Sequence, residues 1–193
     1  QALFRLVDAM AGDVLPAGYR FDVDHNAVAH AVLGKSTWAV LGLTLDIELF
    51  TQLHYRQSIE SDPQLSELFK DVFLYHWREE SQHAILDELE WVRVDVTLTP
   101  EQRDRAVDEL IELVAAVDGI LQIQAKADAK YFAVACARAV GEAEAQIIEA
   151  GFLKAYRWQY IHSGVQHPQF GKVLSRLITE GQGQRIQAAL ATL

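Results

Sequence analysis

Three features of the sequence predict an all-α fold. Apolar residues recur at helical spacing, no stretch alternates polar and apolar residues over a useful length, and the turn-forming residues gather at a few junctions. The expected architecture is a single domain of 193 residues. It comprises two antiparallel helical hairpins, 36–94 and 131–193, a long helical crossover over 100–130, and an N-terminal helical extension over 1–35.

The elements follow from local signals. "ALFRLVDAM" is a short amphipathic helix closed by Gly12, and "LPAGYRFDVDHNA" reads as loop. A second helix starts near Asp24 or His25 and breaks at "LGKS". From Ser36 to about Glu60 the helical pattern is strong. Its centre, "WAVLGLTLDIELFTQLHY", is apolar almost all the way round, so this helix should be the most buried. At Ser61-Asp62-Pro63 the aspartate can cap a helix with proline at its first position, running to about Val94. "TPEQ" is a sharper start: Thr99 caps, Pro100 is first, and Gln102 holds the capping-box position of a helix to about Lys130. The next helix begins between Tyr131 and Arg138 and runs to His162, where Ser163-Gly164 ends it. Pro168 opens one last helix to the C-terminus.

Composition excludes several functions. A net charge of -10 without Lys/Arg clusters argues against nucleic acid. The longest apolar run, "TWAVLGLTLDIELF", carries two acids in its second half, so no membrane span is expected. Cys136 is the single cysteine and calls for no oxidising compartment; lying in "AVACARAV", it reads as a small core residue. No signal peptide is visible, which predicts a cytoplasmic protein, although the sequence begins at Gln1 rather than Met.

Polar residues on otherwise buried helices carry the functional signal. In "YHWREESQHA", His76, Glu80 and His83 fall within roughly 60° of one another on a helix. Asp46 and Glu48 interrupt the most apolar helix about 160° apart. A carboxylate in a core must be paired, protonated or bound to metal, and Glu48 is taken as the inward one. Glu48 and Glu80 are 32 residues apart, Glu149 and Glu180 31 residues apart, each pair spanning one expected turn. Four acids at similar height would repel unless cations held them together.

A lone Glu, an E-x-x-H some 30 residues on, a crossover and a second such half resembles the ferritin-like di-iron carboxylate proteins, over 36–192. The resemblance implies a ferritin-like four-helix bundle. It places Glu48 as the lone glutamate, Glu80 with His83 as the E-x-x-H pair, and Glu79 as an acid that orients a histidine. His76 completes an H-x-x-x-E-x-x-H similar to the extra-histidine site of the di-iron N-oxygenases. In the second half Glu149 and Glu180 match the glutamates, but Gly183 stands where histidine is expected; His162 or His54 would have to substitute. The implied cofactor is iron, two ions, with manganese or a single metal as alternatives.

The resemblance implies a non-haem oxidase or oxygenase acting with dioxygen on a small organic substrate. The alternatives are iron binding or storage, and a metal-free bundle acting as an interaction module. A homodimer contact is expected at Trp91 and Trp158 if these are exposed. Tyr156, Trp158 and Tyr160 otherwise read as packing.

Overall fold

Side-chain caps decide where the helices begin. The structure, a computed structural model, describes residues 2–15, 19 and 23–193. Among these residues all regular structure is helical. Helix α1 (Ala2–Val14) runs through Gly12 instead of stopping there. Asp24 caps α2 (His25–Leu33) by accepting from the amides of Asn26 and Ala27, and Ser36 caps α3 (Thr37–His54). A π-helical turn over Tyr55–Ile59 prolongs α3. Much of the loop expected before Asp24 lies outside the described residues.

Helix α4 (Glu67–Asp95) starts four residues later than Pro63. The Asp62 carboxylate closes a local turn on the Gln64 amide at 2.8 Å, and Ser66 becomes the cap. The Thr99–Gln102 capping box forms as expected and opens α5 (Pro100–Ala135), which spans about 54 Å. Helix α6 (Glu142–Arg157) continues through a second π-helical turn over Trp158–His162 into α7 (Ser163–Val165). Ser163-Gly164 thus extends the helix instead of ending it.

The expected last helix is two. Helix α8 (Pro168–Leu177) stops where Ile178 turns extended, and Thr179 with Gln182 forms a second full capping box that opens α9 (Glu180–Leu190). The same T-x-x-Q spacing that marks Thr99 as a start is present at Thr179, and it divides the second hairpin.

Helix α3 is central, packed against α4, α5, α7 and the second π-turn, while α6 lies along α5. Trp38 of α3 packs on Trp91 of α4, both fully buried with rings 5.0 Å apart. Trp91 also contacts Phe170 of α8. Gly42 permits this approach, since a Cβ there would stand 2.8 Å from the Trp91 ring.

Acids buried elsewhere find donors. Asp95 accepts from Trp38 Nε1 at 2.9 Å and from Arg103 at 2.6 and 2.8 Å, tying α3, α4 and α5 together. Asp118 pairs with Arg157 at 2.6 and 2.9 Å, and Asp128 accepts from Tyr19, Gln124 and Tyr156. Tyr156 therefore has a polar role beyond the packing expected of it.

At Gly164 two helices meet backbone to side chain. A Cβ there would lie 2.3 Å from Asp46 Oδ1 and 2.4 Å from the Asp46 carbonyl oxygen. The carbonyl cannot withdraw without moving α3, so Gly164→Ala is expected to lower stability by about 1–3 kcal/mol. A lower denaturant midpoint at unchanged slope checks this.

Candidate metal centre

The α3–α4 pair builds the site. Glu48 leaves α3 toward α4, where Glu80 and His83 stand one turn apart. Ligand atoms of these three residues all lie within 4.8 Å of one another, and among the described residues no other group of three or more His, Cys, Asp or Glu is so gathered. Both carboxylates are mostly shielded, whereas the His83 side chain is 45% exposed. The cluster therefore has a closed carboxylate side and an open imidazole side.

Glu80 is its hub. One of its oxygens lies 2.7 Å from His76 Nε2 and the other 2.6 Å from His83 Nδ1. His83 Nδ1 is also 4.0 Å from Glu48. Next to the cluster, Ser81 donates to Gln52 Oε1 at 2.8 Å and Gln52 donates to the Trp77 carbonyl, fixing the register of α3 on α4.

Crowded acids change the protonation of the site. Burial, a hydrogen bond with Glu80 and repulsion from that carboxylate push the Glu48 pKa up to about 8. The hydrogen bond to Glu80 and the nearby acids hold His83 above its ordinary value. Protonation of Glu48 relieves the same repulsion that a bound cation would relieve.

Because the folded pKa of Glu48 exceeds its ordinary 4.5, its contribution to stability is complete below about 4.5 and is lost as pH rises through about 8. The chelator-treated chain is expected to weaken across that window. Glu48→Gln should flatten the profile, which chemical denaturation at a series of pH values measures.

The remaining sequence candidates fall elsewhere. Glu79 is exposed and acts on His83 only through its charge. Glu149 is half-buried on α6, which lies along α5, and it does not join the cluster. Glu180 is exposed in the first turn of α9, where the Thr179 capping box sets it on a separate helix. The premise of four converging acids therefore holds only for α3 and α4, where two converge. His54 packs edge-on against Phe73 and His162 lies in the second π-turn, both outside the cluster.

Asp46, read as the less inward acid, is the more buried, at 4% exposure. Helix α3 has neighbours on both sides, so both acids are covered. Trp91 is fully buried and offers no dimer contact; Trp158 is half-exposed.

One participant escaped the sequence reading. Asp87 adds to the repulsion that raises the Glu48 pKa. Its signal was the spacing: at seven residues from Glu80 and four from His83, it continues their stripe.

Two carboxylates and an imidazole suit a divalent transition ion such as iron or manganese. Donors about 2.1 Å from one ion lie at most about 4.2 Å apart, so modest side-chain movement would suffice. The residues fit one such ion. They do not assemble the complement for two, since Glu149 and Glu180 stand apart. Comparisons with protein-family models, curated proteins and solved structures each return no match.

Proposed function

We propose that this chain is a metal-binding helical protein that holds one divalent transition ion, iron by preference, between Glu48, Glu80 and His83. The single observation that supports it is the convergence of these donors from two helices, their ligand atoms all within 4.8 Å of one another. Glu48 and Glu80 would neutralise the ion, and His83 would contribute nitrogen from the solvent-facing side. His76 would orient Glu80 through its bond to the outer oxygen or join as a further nitrogen donor.

A bound ferrous ion would supply a site for dioxygen chemistry, with a small organic substrate providing the further electrons that reduction of dioxygen requires. The antiparallel α3–α4 pair and the α5 crossover support a ferritin-like bundle in the first half. The divided α8–α9 segment departs from it.

Anaerobic titration with ferrous iron tests the reading. It expects saturation at one ion per chain, and His76→Ala should weaken binding by about 10–100-fold. Oxygen uptake by the loaded chain, greater than that of free iron, separates an oxidase from passive iron binding. Uptake of many ions per chain would favour storage.

A second reading, a metal-free interaction module, is favoured by a different observation. Ile85, Leu89, Val92 and Val96 form an exposed apolar stripe on and just beyond α4. It would prevail if the purified chain bound no ion and self-associated through this stripe. Among the described residues no helix is long and apolar enough to cross a membrane.

A further inference from the structure

On the opposite side of α3 from Glu48, a cavity of about 220 Å³ lies between α3, α5, α8 and α9. Its walls are largely apolar: Leu110 and Val114 from α5, Phe170 and Leu174 from α8, Ile186 and Leu190 from α9. The buried exception is Asp46, which lines this space. Its Oδ1 is shielded from solvent and has no hydrogen-bond partner.

The arrangement does not explain itself as packing. Asp95 and Asp118, equally buried, are each matched to an arginine. Asp46 is matched to nothing, and Gly164 leaves room for its carboxyl where any Cβ would displace it. An unpaired polar group in such a wall costs about 1–3 kcal/mol, and leucine there would cost less. A polar group left without a partner beside an empty apolar space points to a partner that is not part of the chain.

The space sets the size of that partner. An apolar cavity of about 150 Å³ takes benzene, so this one admits roughly eight to ten non-hydrogen atoms. A wider groove between α8 and α9 shares Phe170, Leu174 and Ile186 with the cavity and ends at polar Ser175 and Thr179, which makes it the entrance.

We propose that this cavity binds an uncharged, largely apolar alcohol or phenol whose hydroxyl is the hydrogen-bond partner of Asp46. Burial holds the Asp46 pKa well above the ordinary carboxylate range, which favours the neutral carboxyl; that group keeps a carbonyl oxygen to accept the single proton of a hydroxyl. An ammonium would bring three donors into walls that satisfy only one. The site is separate from the metal centre, so its failure would leave that reading intact.

The test titrates 4-ethylphenol and ethylbenzene, which differ by the hydroxyl, into the purified chain, followed by calorimetry and ligand-observed NMR. The expected result is saturable binding of 4-ethylphenol about 3–10-fold tighter than that of ethylbenzene. Asp46→Leu should erase the difference, and Val114→Phe, which fills the cavity, should weaken both by at least about tenfold. Should Asp46→Leu fail to fold, the two ligands in the unaltered chain and in Val114→Phe still decide. Absence of saturable binding, equal binding of the two compounds, or indifference to Val114→Phe overturns the proposal.

Discussion

Replacing Glu80 with alanine is expected to abolish transition-metal binding while leaving the fold intact. Of the clustered groups, Glu80 alone touches the others on every side: its two oxygens meet His76 and His83, and it shares a hydrogen bond with Glu48. Its loss removes one donor and the group that orients the two imidazoles. Outer partners of a metal site are worth about 10–100-fold in affinity, so loss of this hub should exceed 100-fold.

The metal-free chain should respond in the opposite sense. Without Glu80, Glu48 loses its hydrogen-bond partner and its closest repelling charge, so its pKa falls, although burial, the largest cause, still holds it above the ordinary value. The metal-free variant should therefore keep its stability, or gain some, near neutral pH. Metal analysis of protein purified without chelators, beside denaturation of the chelated form, measures both effects. Destabilisation of the metal-free variant, with its metal content unchanged, would make Glu80 a structural acid.

Asp95→Ala is expected to have the largest effect on folding, a loss of about 3–5 kcal/mol. Asp95 is 6% exposed and gathers the Trp38 indole and the Arg103 guanidinium at the junction of α3, α4 and α5. Its removal leaves a mostly buried cation and a buried N–H without an acceptor. Asp95→Asn keeps an acceptor for Trp38 and should cost less. For a chain of this length the alanine variant should melt about 6–20 °C lower, which calorimetry would show. A shift within 2 °C would mean that Asp95 contributes nothing beyond a surface pair.

Local signals were legible in the sequence where one residue had to satisfy a nearby backbone group. Thr99 with Gln102 caps the helix expected of it, and helices begin at Asp24 and Ser36 near the expected places, whereas Asp62 closes a turn and leaves the cap to Ser66. The H-x-x-x-E-x-x-H stripe was legible because helical spacing alone puts His76, Glu80 and His83 together. What spacing could not convey was which acids are answered by other means. Counting residues across an expected turn aligned Glu149 with Glu180, but the Thr179 capping box broke that helix. Asp118 and Asp128 show the same gap from the other side, since arginine and tyrosine partners 28 to 109 positions away in the chain settle them. Asp46 lay beyond reach for a related reason: its burial depends on Gly164, 118 residues on, which looked like a helix end.

The central claim is that one ion sits between α3 and α4, held by Glu48, Glu80 and His83. Anomalous diffraction at the iron edge, from crystals grown with ferrous iron without oxygen, tests it most directly. The account predicts a single peak within bonding distance of those three side chains. No peak there, or a pair of ions drawing Glu149 and Glu180 into the same site, would contradict it.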